Sequence, residues 1–140
     1  MAKINPKIFK ANDIRGKYPS EINEKVVSEI VRCLVLYFES KFKIQNSKFK
    51  IVVAHDARLS SPKLYRAAIR SIKRQASSVK ITKVGMATTP MFYFLVKKTK
   101  AIGGIMITAS HNPKNYNGLK IVDKNVLPIS GLEIKKMFDL

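Results

Sequence analysis

Apolar and polar residues alternate in blocks along this chain, with helical spacing in some blocks and strand spacing in others. Near the amino terminus, apolar residues recur every four positions, at Val26, Ile30, Leu34 and Phe38. That spacing predicts an amphipathic helix. We expect it to begin after Pro19, with Ser20 or Asn23 as its cap, and to run to about Phe42.

Strand patterns follow this helix. A strand predicted at 49–54 carries a continuous apolar run, at 51–54, of the kind found inside parallel sheets, and residues 79–84 alternate between apolar and polar. Further extended segments are predicted at 9–15, at 105–107 after Gly103 and Gly104, and at 119–122. Further helices are predicted from Ser60, from Thr89 to about Lys98, and from Ser130, with a loop at 45–48.

Helices and strands that alternate with short loops predict one layered α/β domain, with right-handed crossovers between parallel strands. The connection from 105–107 to 119–122 is too short for a crossover helix, so we expect that pair to be antiparallel. We therefore predict a mixed sheet. Ligands of such sheets bind at the carboxyl ends of the strands, so we expect a site at that edge of the sheet.

The composition is that of an ordinary globular domain. The chain has 140 residues, of which 46% are hydrophobic and 26% charged, which is enough for one domain with its own core. No apolar run approaches the length that spans a bilayer, and the first residues contain no apolar signal segment. Cys33, the single cysteine, lies among apolar residues, so we expect a buried structural thiol. These features favour a cytoplasmic protein.

The formal net charge of +18 raises nucleic acid as a partner. The 27 basic residues, however, are 21 lysines and 6 arginines dispersed along the chain. Their one tight cluster, at 97–100, has no aromatic residues interleaved with it, as a base-stacking surface would require. We therefore interpret the charge as a solvated lysine surface, which would attract any anionic ligand.

Small polar residues follow the strand at 105–107, where residues 108–113 are Thr-Ala-Ser-His-Asn-Pro. This composition predicts a loop, and a second turn signal, Asn117-Gly118, leads into the strand that carries Lys120. Polar groups at the tip of a rigid strand indicate a site. Ser110 lacks the flanking glycines of a hydrolase nucleophile, and a neighbour in sequence such as His111 need not reach it in space. From the residues alone, a polar turn without chemistry is the favoured alternative.

Residues 108–113, continued by Tyr-Asn-Gly-Leu-Lys at 116–120, resemble the phosphoserine loop of the α-D-phosphohexomutases, the phosphomannomutase/phosphoglucomutase family. Three other stretches resemble motifs of this family in the same order: Phe-Lys-Ala-Asn-Asp-Ile-Arg-Gly at 9–16, Ala-His-Asp-Ala-Arg-Leu-Ser at 54–60 and Val-Gly-Met-Ala-Thr-Thr-Pro at 84–90. The departures are Asn12, where the family usually has tyrosine, and Ala54 and Ala57, where glycines are common. The resemblance implies a three-layer α/β/α domain with a mixed, mostly parallel sheet.

The resemblance also implies a catalytic set of Ser110, Lys120, Arg15 and His111, and a substrate-binding set of Arg15, Asn112 and Lys120. Ser110 would give a phosphoryl group to a hexose monophosphate and recover one from the resulting bisphosphate, with hexose 1,6-bisphosphate as activator. Lys120 would transfer a proton or contact phosphate, Arg15 would contact phosphate, and His111 and Asn112 would shape the loop. Mg²⁺ would lie between the Ser110 phosphate and an acidic loop of a second domain.

Each of these roles has a plainer alternative. Lys120 is equally well explained as a solvated lysine on a strand, and Arg15 as the partner of Asp13 in a surface ion pair. We interpret Asp56 and Arg58 as structural residues that brace loops near the site. None of the His, Asp or Glu spacings is that of a metal cage, and the nucleotide-binding glycine motifs are absent.

The resemblance covers residues 1–140 as domain I of the four domains usual in the family. The metal loop, the sugar-selecting loop and the last phosphate-binding segment belong to the other three, and we expect Asp139 and Leu140 to lie near the end of domain I. The implied function is that of a phosphomannomutase/phosphoglucomutase acting on a hexose phosphate, inactive without complementing domains II–IV. The alternatives are a non-catalytic phosphosugar-binding remnant and, less favoured, a basic nucleic-acid-binding module.

Overall fold

A single five-stranded sheet with helices on both faces organises the computed structural model, which describes residues 2–43 and 48–138. The predicted loop residues 45–47 and the expected domain end at Asp139 and Leu140 lie outside the described residues. The strands are β1 (Ile14–Lys17), β2 (Lys50–His55), β3 (Lys80–Met86), β4 (Gly103–Ile107) and β5 (Tyr116–Asp123). The helices are α1 (Glu24–Lys41), α2 (Ser61–Gln75), α3 (Thr89–Lys98) and α4 (Gly131–Lys135), with short 3₁₀ helices at Pro6–Ile8 and Lys136–Phe138.

The strand order across the sheet is β1-β5-β4-β2-β3. Strand β2 is parallel to both β3 and β4, whereas β5 is antiparallel to both β4 and β1. Four of the five strands therefore run in one direction and β5 runs against them, which confirms the mixed, mostly parallel sheet. As a result, the carboxyl ends of β2, β3 and β4 lie along the same edge.

The two faces of the sheet pack against different helices, which gives the three-layer architecture that was predicted. Side chains at alternate positions of β2, β4 and β5, such as Val53, Ile105 and Ile121, belong to the core that α1 and α2 cover. The intervening positions, such as Val52 and Met106, pack with Phe92 and neighbouring residues of α3. The sheet is thus apolar on both sides at its centre.

The apolar face of α1 lies where the four-residue spacing predicted it. Val27, Ile30, Val31, Leu34, Val35 and Phe38 have no exposed surface. Full burial of one aliphatic side chain contributes roughly 1.5–3 kcal/mol, so packing rather than helix propensity accounts for most of the stability of α1. Of the two predicted caps, Asn23 is the one used, because its side-chain oxygen accepts the N–H of Val26 at 3.0 Å. Ser20 lies before the helix begins.

Two sequence predictions were wrong in detail. Residues 9–15 are not one extended segment, because the chain turns sharply before β1 and the N–H of Lys10 donates to the carbonyl of Asp13 at 2.8 Å. The Asn-Asp pair in this stretch favours such a turn. Asn117 and Gly118 do not form a turn but lie within β5. Gly118 is required there by close packing, since a Cβ atom would overlap the carbonyl of Ile14 on β1.

Cys33 is buried on α1 as predicted, at 6% exposure, and burial raises the pKa of its thiol. The reactive thiolate is therefore disfavoured at neutral pH. Within residues 2–43 and 48–138, no helix combines the length and the apolar character that a membrane crossing requires.

Candidate functional site

The loop at 108–115 joins β4 to β5 at the carboxyl edge of the sheet and presents Ser110 to solvent. Ser110 has a φ of +54°, in the left-handed region that costs an L residue about 1–2 kcal/mol. Two hydrogen bonds within the loop hold this conformation: the N–H of Ser110 donates to the hydroxyl of Thr108 at 3.0 Å, and the N–H of Asn112 donates to the carbonyl of Ala109 at 3.1 Å. A strained, exposed serine on a fixed backbone is typical of a functional position.

The guanidinium group of Arg58, at the carboxyl end of β2, fixes the loop from the side. It donates to four main-chain carbonyls: those of Ser110 (2.9 Å), Asn112 (2.8 Å), Pro113 (2.7 Å) and Tyr116 (3.1 Å). Its Nε donates to Asp56 at 3.2 Å, and the side chain is only 12% exposed. Arg58 therefore braces the loop, as the structural interpretation predicted. The sequence did not indicate that the side chain of Arg58 would donate to four main-chain carbonyls in and next to the loop.

A buried polar network connects this brace to α2 and β5. Asp56 accepts the hydroxyl of Ser61 at 2.5 Å and the N–H of Arg58 at 3.0 Å. The side-chain amide of Asn117 donates to the hydroxyls of Ser60 (2.8 Å) and Ser61 (3.0 Å). Ser60 occupies the cap position of α2 but makes no side-chain cap, since its backbone is helical (φ −81°, ψ −15°) rather than extended as in a cap. Its hydroxyl accepts from Asn117 instead.

Asn117 is the residue of this network that the sequence interpretation missed. It has no exposed surface, and its side-chain oxygen accepts the N–H of Gly118 at 2.9 Å, so all its polar atoms are paired. A buried asparagine must find such partners, since an unpaired buried amide is costly. The available signal was an asparagine beside apolar strand residues, but the following glycine suggested a turn.

Arg15 lies on β1 and reaches the loop from its other side. Its Nε donates to Asp13 at 2.8 Å, which is the predicted ion pair, and its Nη1 donates to the side-chain oxygen of Asn112 at 2.6 Å. The side chain is 32% exposed, and its Nη2 makes no hydrogen bond to the part of the chain that the structure describes. Arg15 thus positions Asn112 and keeps one donor group free for an anion.

His111 belongs to the loop and Lys120 to β5, but neither side chain makes a hydrogen bond to Ser110 among the described residues. Lys120 is half-buried on β5 opposite Met106, on the sheet face that α3 covers. His111 is exposed beside Ser110. No hydrogen bond or ion pair to either side chain is formed within residues 2–43 and 48–138. The structure therefore unites Arg15, Asn112, Arg58 and the backbone of Ser110, while Lys120 remains a separate cation.

The surface beside the loop is basic. A depression of about 260 Å³ adjoins it, lined by Tyr18, Leu59, Ser60, Lys63, Lys114 and Asn115. Burial, and then a hydrogen bond to Glu24, raise the pKa of the Tyr18 hydroxyl, which therefore stays protonated. Asp13 and Asp56 are each paired with an arginine that also contacts the loop. The arrangement is suited to an anionic group at the loop.

The comparisons with known proteins agree on one family. Residues 6–139 match the model described as phosphoglucomutase/phosphomannomutase, alpha/beta/alpha domain I. A phosphohexose mutase of Xanthomonas campestris is 39% identical over 122 residues, which are 87% of this chain and 25% of that protein. A phosphomannomutase of Klebsiella pneumoniae is 39% identical over 123 residues, which are 88% of this chain and 72% of that sequence.

The fold comparison gives the same result. The crystal structure of a phosphoglucomutase/phosphomannomutase family protein from Burkholderia thailandensis superposes with a TM-score of 0.81 at 31% identity. The match covers 98% of this chain and 30% of that one. The chain therefore spans between a quarter and a third of the Xanthomonas and Burkholderia proteins.

Proposed function

This chain belongs to the phosphoglucomutase/phosphomannomutase family, as an example of its α/β/α domain I, and from that membership we propose that it carries a phosphoryl group on Ser110. The activity would be the interconversion of hexose 6-phosphate and hexose 1-phosphate. The hexose itself is not specified by the residues of this domain.

The proposed step is a phosphoryl transfer in two directions. The bond between Oγ of phosphorylated Ser110 and phosphorus breaks as phosphorus bonds to the free hydroxyl oxygen of a hexose monophosphate. The sugar hydroxyl loses its proton, Ser110 regains one, and a hexose bisphosphate results. After the sugar turns round, its other phosphoryl group returns to Ser110 and the isomeric monophosphate leaves. Phosphate is neither gained nor lost over the cycle.

The observation that supports this proposal best is the fixed, exposed position of Ser110. Its backbone is held in a strained conformation by the four carbonyl contacts of Arg58 and by the bonds within the loop. Phosphoryl transfer is catalysed largely by positioning and charge neutralisation, so a rigid carrier is favourable. Glycine adopts this φ without strain, so a turn alone would not require serine at position 110.

Cations of the same domain would neutralise the phosphoserine, which carries roughly −1.5 to −2 charges at neutral pH. Arg15 is placed for this role, because Asn112 holds its guanidinium at the loop and leaves one donor group free. We propose that Lys120 moves a proton or contacts phosphate, that Asn112 contributes to substrate binding through Arg15, and that His111 shapes the loop. These four residues lie on the loop and on the two strands beside it.

Mg²⁺ does not fit this domain alone. Within residues 2–43 and 48–138, no group of three or more His, Cys, Asp or Glu side chains could hold a metal ion. The Ser110 phosphate would offer oxygen ligands that Mg²⁺ prefers, and further ligands would have to come from a complementing domain. We propose accordingly that the chain acts together with domains II–IV.

The proposal is tested by incubating the purified chain with glucose 1,6-bisphosphate, alone and with domains II–IV of a full-length relative. We expect intact-mass spectrometry to show one added phosphoryl group, mapped to Ser110 by peptide sequencing, and mutase activity only in the complemented sample. Ser110→Ala should abolish both results, whereas Ser77→Ala, which changes an exposed serine away from the loop, should leave them unchanged. Absence of phosphoserine in both samples, or phosphate on another residue, would contradict the proposal.

A further inference from the structure

A basic depression of about 720 Å³ lies at the amino edge of the sheet, opposite the edge that carries the Ser110 loop. Lys50 begins β2 there, and Ile102 immediately precedes β4. The five residues of β4 separate the two edges by about 16 Å, so this depression is distinct from the candidate site. Its lining consists of Phe42, Lys48, Phe49, Lys50, Lys97, Lys100, Ala101, Ile102, Lys124 and Asn125.

Half of the lining residues that the structure describes are lysines, and none of these described residues is acidic. The lysines come from separate parts of the fold: Lys48 and Lys50 from the start of β2, Lys97 and Lys100 from the end of α3, and Lys124 from the turn after β5. The neighbouring Asp123 uses its carboxylate within its own turn, where it accepts the N–H groups of two residues that follow it. The basic cluster of the sequence is therefore part of a larger cationic concavity.

Compensation of helix dipoles does not account for so many lysines. Two helices end at the depression: α1, whose cap residue Phe42 lines it, and α3, which contributes Lys97. Each helix end carries about half a negative charge, so the two together would be balanced by about one lysine. The carboxylate of Asp123, beside Lys124, offsets about one more, so roughly three positive charges remain in excess. Their mutual repulsion disfavours the free form and would be relieved by a bound anion.

The floor of the depression is apolar. Phe49 and Ile102 are each 8% exposed, and Ala101 lies between the end of α3 and β4. The ring of Phe42 forms part of the wall, with the ammonium group of Lys124 at 5.5 Å from its centroid. The aromatic residues that the local sequence around 97–100 lacks are thus supplied by distant segments. The volume of the depression lies in the usual range of small-ligand pockets, and its apolar floor lies beneath charged walls.

We propose that this depression binds a small ligand that carries two or more linked phosphate groups. A single phosphate accepts from one or two ammonium groups, whereas a chain of phosphates would contact lysines on opposite walls, such as Lys97 and Lys124. Lysine is suited to this role because it binds phosphate as a compact charge and adapts to different spacings. This binding would be independent of the phosphoryl transfer proposed for Ser110.

Isothermal titration calorimetry with sodium tripolyphosphate at low ionic strength tests the proposal. The informative variant is Lys97→Gln with Lys124→Gln, which removes one charge from each wall. The matched control is Lys98→Gln with Lys136→Gln, since both residues are exposed, neither lines the depression, and the same net charge is lost. Thermal unfolding of both variants checks that they fold.

We expect the first variant to bind tripolyphosphate at least about tenfold more weakly, because each of the two lost hydrogen bonds between charged groups is worth about that factor or more. The control should stay within about twofold. Orthophosphate should bind at least tenfold more weakly than tripolyphosphate. Equal losses in both variants would show general attraction to a basic surface and overturn the proposal, as would equal affinity for the two phosphates. Binding of a single-stranded oligonucleotide but not of tripolyphosphate would overturn it in favour of nucleic acid.

Discussion

The guanidinium of Arg15 donates to the side-chain oxygen of Asn112 at 2.6 Å, across 97 positions of the sequence. This bond connects β1, at the edge of the sheet, to the loop that carries Ser110. The main-chain carbonyl of Asn112 also accepts a hydrogen bond from Arg58. Arg15 on β1 and Arg58 just after β2 therefore hold the same loop residue. The geometry of Ser110 therefore depends on residues from three of the four motifs, those at 9–16 and 54–60 and the loop itself.

A double-mutant cycle measures the contact between Arg15 and Asn112. We expect Arg15→Ala and Asn112→Ala each to lower the free energy of unfolding, and their coupling energy to be about 0.5–1.5 kcal/mol, since the pair is only partly exposed. Urea unfolding of the four proteins gives this value. Lys7 is exposed and its side chain makes no hydrogen bond or ion pair to the described residues, so Lys7→Ala with Asn112→Ala should be additive. Equal coupling in that pair would refute the assignment.

Arg58→Ala should destabilise the protein by about 2–4 kcal/mol, because four carbonyls lose their donor and Asp56 loses its partner. Arg58→Lys should recover only a small part of this loss, since an ammonium group cannot span the same acceptors. Hydrogen exchange should become faster in the loop at 108–115. The control is Arg66→Ala on the exposed side of α2, for which a change within about 0.5 kcal/mol is expected.

Gly118→Ala should cost about 3 kcal/mol, because its methyl group would overlap the backbone of Ile14 and push β1 away from β5. Gly85→Ala provides the comparison. Gly85 has a φ of +77° but open space around it, so only the backbone penalty of about 1 kcal/mol applies. Chemical denaturation of both variants measures the two losses in the free energy of unfolding. A cost at Gly118 no greater than that at Gly85 would show that β1 and β5 are not packed so closely.

Ser110→Gly should be more stable than Ser110→Ala by about 1 kcal/mol, because glycine adopts the left-handed conformation without strain and alanine does not. Thermal and urea unfolding measure the difference, and neither variant should accept a phosphoryl group. If alanine proved as stable as glycine, Ser110 would not be strained in solution.

The layered α/β fold could be predicted because its signals are local. The spacing of apolar residues on α1 and the continuous run of β2 each lie within one element, and the short connection after β4 fixed the direction of β5. Even the exact cap, Asn23, was one of two candidates. The errors occurred where local signals compete with packing, as at Gly118, where a turn-forming dipeptide lies in a strand because a neighbouring strand leaves no room for a side chain.

The candidate site was less predictable because its contacts are not local. Ser110 and Asn112 could be located by their motif, but the four bonds of Arg58 join residues 52 to 58 positions apart. Local patterns contain no information about which carbonyls a distant arginine will reach. The same holds for Asn117, whose partners Ser60 and Ser61 lie on α2.

The position of β1 has a consequence for the order of folding. Among the strands that the structure describes, β1 pairs along its length with β5 alone, about a hundred positions later in the sequence. Residues 14–17 therefore cannot pair until residues 116–119 are present. Closing so long a loop is entropically costly, and such contacts form late. We expect the amides of β1 to be the last to gain protection in pulse-labelled hydrogen exchange during refolding. Until then, the open edge of β5 could pair with a strand from another chain. By covering that edge, β1 protects the protein against aggregation and also carries Arg15.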